Sequence, residues 1–352
     1  MSMRILITGG AGYLGSVLVP KLLVRGHQVK VLDIGYFGLG PLRSLRPGIE
    51  IIRDDIRRFV TDPEFSKEML DGMDCVIHLA AISNDPSAEL HPELTEEVNF
   101  QTTIAIAEAC KKAGVRFLFS SSCSVYGEAE GELTEDSHVN PLTVYAVSKV
   151  KSDNCLTQMA DNSWKPVILR NGTLFGYSPR MRFDLVVNIF SLYSTIYNEI
   201  RVFGDGLQWR PFLSVQDCAR AFVFFVENGE PLHVMYNISS ENLRVVDVAE
   251  IFKQMNPKLK IKYVPQSDPD KRDYRVSAAR MRAEGFQPQL GVTACAEQIA
   301  EAIVSGQIPD PESIFYRNAK WLGELTHIGN KDHRHIVDLM ESFSVIHKAA
   351  TV

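Results

Sequence analysis

The chain has 352 residues, 45% of them hydrophobic and 23% charged. That is enough to bury a sizeable core, and it excludes a chain disordered throughout. Lys and Arg number 37 against 43 Asp and Glu, a net charge of −6, so the basic field that a nucleic-acid or anionic-membrane partner needs is missing. MRILI (3–7) is a short apolar run ended by glycines and predicts a buried parallel strand. Residues 13–25 follow with apolar positions at helical spacing. Further strands are predicted at 27–33, 50–56, 74–80, 115–121 and 166–170, with helices over about 92–113 and 142–160. Strands alternating with helices predict an α/β fold, a doubly wound parallel sheet covered on both faces.

Beyond residue 170 the rhythm loosens. Helical stretches near 182–198, 215–227, 244–255 and 293–304 alternate with short strands at 200–203, 234–238 and 261–264. The expected organisation is a first domain over 1–170, to which some later segments return, a smaller and partly discontinuous lobe over 171–309, and a helical tail over 310–352. Sheets of this kind bind ligands beyond the C-terminal ends of their strands, so the site is expected between the lobes. The tail carries His327, His333 and His335. It reads as an exposed helical appendage with surface histidines, because a metal site needs convergent ligands that the pattern does not establish.

Six cysteines, at 75, 110, 123, 155, 218 and 295, are scattered without a CxxC pair. This argues against structural zinc and against a disulfide framework, and it fits a reducing cytoplasm. No metal is expected. No apolar run reaches membrane-helix length, and MSMRILITGG reads as a strand entering a turn rather than a signal peptide.

TGGAGYLG (8–15) lies between a predicted strand and a predicted helix. Gly9, Gly12 and Gly15 allow a sharp turn, close approach of a pyrophosphate, and packing of helix on strand. The helix N-terminus then offers free N–H groups and a partial positive charge to phosphates. In this context the turn predicts a Rossmann-type dinucleotide site. Asp33 ends the second strand, where an acid can hydrogen-bond ribose hydroxyls and would repel a 2′-phosphate. No Lys or Arg stands in the turn or directly after Asp33, which favours NAD over NADP. Asp55 and Ile56 could hold the adenine, or Asp55 could simply cap a helix.

Tyr145 and Lys149, in YAVSK, are four residues apart on a predicted helix and so lie on nearly one face. A nearby ammonium favours phenolate, which suits tyrosine to general-base work. Ser122, in SSSCSVYG just past the fifth strand, can hydrogen-bond the same substrate oxygen.

Together these segments resemble the extended short-chain dehydrogenase/reductase superfamily, in its sugar-nucleotide epimerase/dehydratase branch. The resemblance spans about residues 3–305. It is carried by TGGAGYLG, Asp33, RDDI (53–56), HLAA (78–81), Asn99 in VNFQTT, SSSCSVYG (120–127) and YAVSK (145–149). RNGTLFG (170–176) and FGDGLQWRPFLSVQDCARA (203–221) match more loosely. The resemblance implies that Tyr145 is the acid/base, Ser122 its partner, and Lys149 both tunes Tyr145 and binds the nicotinamide ribose. It implies Leu79, Ala80 and Ala81 along the dinucleotide path, Asn99 in support, and Tyr13, Leu14 and Asn171 on the cofactor side. It implies a nucleotide-sugar substrate, with Ser83, Cys123, Ser124, Thr173, Asn188, Arg210 and Arg272 as its expected contacts, and a homodimer through the helices at about 92–113 and 142–160.

Departures from the branch bear on the reaction. Thr173 stands where an Asn is common, and Ser267 where an Arg is common, with Arg272 or Arg275 to compensate. The Asp-Glu pair of the 4,6-dehydratases is replaced by Cys123-Ser124, which removes the proton relay for elimination. Cys123 falls one place from a cysteine used by some 3,5-epimerases, and reads otherwise as a small buried thiol. The expected function is NAD-dependent epimerisation of a nucleotide sugar through a transient keto sugar. The alternatives are a sugar-nucleotide dehydrogenase or reductase and, in another class, a noncatalytic NAD(H)-binding scaffold or sensor.

Overall fold

The apolar runs of the N-terminal half become strands buried on both faces, as central parallel strands must be. The computed structural model describes residues 2–265, 270 and 272–328. Its strands are β1 (Arg4–Thr8), β2 (Gln28–Leu32), β3 (Ile49–Ile52), β4 (Cys75–His78), β5 (Arg116–Ser122), β6 (Glu128–Leu133) and β7 (Val167–Asn171). They continue with β8 (Thr173–Phe175), β9 (Glu199–Phe203), β10 (Trp209–Ser214), β11 (Met235–Ile238), β12 (Glu241–Arg244), β13 (Lys260–Val264) and β14 (Asp273–Val276). The main sheet has seven strands in the order β11-β7-β5-β4-β1-β2-β3, all parallel. Strand order reverses on either side of β1, so β1 and β4 open a crevice at their C-terminal ends.

Two hydrophobic clusters cover the faces of this sheet. One joins Ile5, Ile7, Val31 and Leu118 to Leu18 and Phe222; the other joins Leu6, Val76, Phe117 and Ile168 to Phe65 and Ile106. The second lobe has its own core of Phe175, Phe190, Phe212 and Phe252, beneath a sheet of order β12-β10-β8. Its segments are interleaved with the main sheet, since β11 follows β10 in the chain and pairs with β7.

Three local features depart from the sequence reading. The strand expected over 50–56 ends at Ile52, and Asp55 and Ile56 beyond it line the crevice. The helix expected over 92–113 is broken by a π turn at Glu97–Gln101, a wider turn that inserts an extra residue at buried Asn99. The tail, expected to be an exposed appendage, packs on the body through residue 328. Tyr316, Asn318 and Leu325 are buried, Phe183 N donates to Tyr316 O at 2.8 Å, and Trp321 Nε1 donates to Tyr36 O at 2.8 Å. Its second helical pattern, His333, His335, the His327 side chain and Ser267 lie outside the described residues.

Candidate active site

The glycine turn closes β1 onto its helix. Gly9 has φ +73°, and a Cβ there would lie 2.7 Å from Ala80 N. At Gly15 a Cβ would lie 2.6 Å from Gly10 Cα, so only glycine lets helix Gly15–Val24 seat against the strand. At Gly12 a Cβ would meet only Gly9 O, at 3.2 Å, and would stand in the cleft. Tyr13 and Leu14 line the same cleft. Tyr13 Oη donates to Gly176 O at 2.6 Å, and Ser178 Oγ donates to Tyr13 O at 2.7 Å, which stitches the second lobe to the turn.

Asp33 lines the cleft and accepts from Ala11 N (2.9 Å) and Gly35 N (2.8 Å). Burial raises its carboxyl against the pull of those two N–H groups. Asp55 and Ile56 also line the cleft. The Asp55 carboxylate is gripped by Arg57 through Nε (2.8 Å) and Nη2 (2.6 Å), so an adenine amino group would share it.

Thr143 caps helix Val144–Met159 by accepting from Ala146 N at 3.1 Å, and gives its own hydroxyl to Asp85. Tyr145 and Lys149 follow one turn apart. Lys149 Nζ donates to Ser120 O at 2.9 Å and lies 4.5 Å from the centre of the Phe119 ring. Desolvation lowers its ammonium to about 8. Tyr145 is hydrogen-bonded to Ser122, whose Oγ also accepts from Ser124 N at 3.1 Å. Burial, with the Asp85 carboxylate adding, pushes the Tyr145 phenol up to about 12. Lys149 is expected to tune Tyr145 toward phenolate, while burial here outweighs the cations that act on the phenol, Arg182 and Arg272.

Leu79, Ala80, Ala81, Ser83, Asn171, Thr173 and Arg272 all line the cleft. Asn99 lies behind it. Its amide accepts from Ile82 N (2.8 Å) and donates to Ile82 O (3.0 Å), pinning the segment after β4. Asn171 donates to Ser120 Oγ (3.0 Å) and Ser121 O (3.2 Å) at the ends of β7 and β5.

Four expected substrate contacts do not line the cleft, and each is buried. Cys123 gives its thiol to Arg170 O at 3.1 Å, and burial pushes that thiol far up, as an inert core group. Ser124 is buried under it. Asn188 accepts from Gly176 N (2.8 Å) and donates to Tyr13 Oη (3.1 Å), so it braces the wall. Arg210 holds the carbonyls of Trp209 and Arg272 and pairs with Asp270 at 3.1 Å, which fixes the segment bearing Arg272. Arg275 sits 5.2 Å from the Trp209 ring centre. Arg272 itself pairs with Asp85 (3.1 Å) and Asp270 (2.5 Å).

Sequence reasoning missed Arg180, Arg182, Asn84, Asp85 and Asn318, which also line the cleft. Arg182 and Asp184 form a buried pair at 2.9 Å. Asn84, at φ +77°, donates to Asp184 Oδ2 at 2.7 Å. The signal was SPRMRFD (178–184), one residue past RNGTLFG, where two arginines stand two apart. Among the described residues no group of His, Cys, Asp and Glu could hold a metal ion, and no helix is long and apolar enough to cross a membrane.

The NAD dependent epimerase/dehydratase family matches residues 5–239. UDP-glucuronic acid decarboxylase 1 of Arabidopsis thaliana is 31% identical over 82% of this chain and 67% of its own length. A Bacillus subtilis protein named as an uncharacterized UDP-glucose epimerase, YtcB, is 28% identical over 72% of this chain and 82% of its own. The crystal structure of UDP-glucuronic acid 4-epimerase from Bacillus cereus, in complex with UDP-glucuronic acid and NAD, superposes with a TM-score of 0.73 at 26% identity, over 86% of this chain and 99% of that one. The chain belongs to the NAD dependent epimerase/dehydratase family.

Proposed function

We propose that this member of the family is an epimerase that inverts one hydroxyl-bearing carbon of a nucleotide-diphosphate sugar. The observation that carries the reading is the Ser122–Tyr145–Lys149 arrangement opening onto the glycine-turn cleft, with no acid pair behind Ser122. The residues present fit NAD. Gly12 leaves a space that a side chain would fill, and Asp33 offers a carboxylate beside it. Gly9, Gly12 and Gly15 with their helix N-terminus would hold the diphosphate, Asp33 the adenosine ribose, and Lys149 the nicotinamide ribose. The chemistry NAD supplies when bound is reversible hydride acceptance.

Tyr145 Oη, as phenolate, takes the proton of the reacting sugar hydroxyl. Ser122 Oγ donates a hydrogen bond to the same oxygen and fixes the distance. Lys149 stays anchored on Ser120 O and directs its charge at the phenol and the cofactor side. Oxidation makes the sugar carbon planar, and the keto sugar turns over in the cleft before Tyr145 returns the proton. A phenol held at about 12 needs further positive charge to work near neutral pH, and an oxidised nicotinamide held by these residues would supply it.

Elimination lacks its acids, since Cys123 and Ser124 stand where the dehydratases carry an Asp-Glu pair, and neither lines the cleft. A dehydrogenase or reductase would use the same three residues once and then exchange its cofactor. Mass spectrometry and NMR of products from a panel of UDP-, dTDP-, GDP- and CDP-sugars test the proposal. A product of unchanged mass and inverted configuration supports it. Loss of water, loss of carbon dioxide, or a change of two hydrogens that scales with added NAD(H) would each replace it.

A further inference from the structure

Arg180 comes from the second lobe, 147 positions beyond Asp33, yet it lines the same cleft. The side chain is almost fully buried, at 2% exposure. Its Nη1 donates to Met181 O at 3.1 Å and its Nη2 to Asn318 Oδ1 at 2.7 Å. The guanidinium centre lies 3.8 Å from the Phe37 ring centre. Nε is buried with no partner among the described residues. A buried cation with an idle N–H is costly, and retaining one points to a ligand that completes it.

Its location says which ligand. Ser178, two residues earlier, is bonded to the glycine turn through Tyr13 O and Ser16 Oγ. The charges of Arg180 and Asp33 act on each other. The guanidinium thus lines the same cleft as the turn that would cradle a diphosphate and the carboxylate that would meet a ribose. We infer that Arg180, held by Asn318 from the C-terminal helix, is a further ligand for the diphosphate of the dinucleotide.

Asn318 makes this a clasp rather than a lone contact. Its N–H donates to Asp184 Oδ2 (3.2 Å), its Nδ2 donates to Ser83 Oγ (3.2 Å), and Trp321 one turn on is bonded to Tyr36 O. Helix Asn318–Ile328 therefore bridges the two sides of the cleft and sets the guanidinium.

The test uses the full chain freed of nucleotide, with calorimetric titration of NAD, adenosine and UDP. Arg180→Gln is expected to weaken NAD by about 10- to 100-fold, the range of a charge-assisted hydrogen bond, while adenosine and UDP hold. Arg180→Lys should recover part of the loss, and Asn318→Ala should weaken NAD by a smaller factor and speed its release. UDP shares the diphosphate chemistry, so a loss confined to UDP would assign Arg180 to the nucleotide sugar and overturn the proposal. Equal loss for adenosine and NAD would mean a packing role and also overturn it. If Arg180→Gln fails to fold, Arg180→Lys and Asn318→Ala decide: unchanged NAD affinity and release in both overturns the clasp.

Discussion

Lys149 donates its Nζ hydrogen to Ser120 O at 2.9 Å, which bolts the helix that bears Tyr145 to the end of β5 two residues before Ser122. One strand–helix contact thus sets all three groups. Beneath it, Asp153 on the same helix pairs with Arg170 on β7 at 2.8 Å, and Arg170 also reaches Tyr126 Oη at 2.9 Å. The site is built on rigid elements, and the second lobe supplies the wall opposite.

Tyr145→Phe keeps the ring and removes the proton carrier. Turnover should fall by about 10²- to 10⁴-fold, the span of general acid–base catalysis, with NAD affinity little changed. Steady-state kinetics beside NAD titration check this. Turnover near that of the parent protein would remove Tyr145 from its role.

The Tyr145 phenol stands at about 12 without cofactor. With NAD bound, its ionisation should move to lower pH, because a cation favours phenolate. Ultraviolet difference titration of the parent protein against Tyr145→Phe, with and without NAD, reads the shift. A transition that stays near 12 in the NAD complex contradicts it.

Lys149 should cost stability at neutral pH. Its folded value of about 8 lies below the ordinary 10.5, so the unfolded chain binds more protons between those values. The penalty is full below pH 8 and fades as pH rises toward 10.5. Lys149→Met should therefore gain up to about 3 kcal/mol at pH 7, less the lost bond to Ser120, with that gain shrinking at alkaline pH. It should also lose turnover. Denaturant unfolding of both proteins at pH 7 and above pH 10 measures the difference, and a destabilised variant at pH 7 would contradict it.

Asp153→Ala strands a buried guanidinium. Arg170 and Asp153 are both sequestered from solvent, and breaking such a pair costs about 3–5 kcal/mol. Thermal unfolding should show a clear drop in Tm. A change within about 0.5 kcal/mol, as for an ordinary surface position, would show that the pair is dispensable.

A homodimer would bury helix Val144–Met159 against its copy, where Val147 and nearby Leu142 are exposed. Light scattering should give twice the chain mass, and Val147→Glu should lower it. A monomeric parent protein would rule the dimer out.

The parallel sheet was legible because buried strands such as CVIH and the turn TGGAGYLG carry strong, local patterns. YAVSK was legible because a four-residue spacing sets one helix face. Of the short strands, β9 and β13 were legible at 200–203 and 261–264, while β6 and β12 were not. EAEGEL and ENLR lack the apolar alternation that marks a half-buried strand, and they are held by pairing with distant segments. The same limit explains Arg180. No Lys or Arg stands in the glycine turn or directly after Asp33, while the fold brings Arg180 to the same cleft from a distant segment. It also explains Arg210 and Asn188, whose polar groups are spent on neighbouring carbonyls and a phenol that no motif reveals.

The central claim is an internal, reversible oxidation, and turnover of nucleotide sugars in D2O with substoichiometric NAD tests it most directly. The account predicts a product of inverted configuration and unchanged mass with no carbon-bound deuterium, because the hydrogen that leaves the carbon returns to it. Deuterium on carbon would mean that solvent protons carry the inversion. A change in mass, or product limited to the NAD supplied, would mean a different reaction altogether.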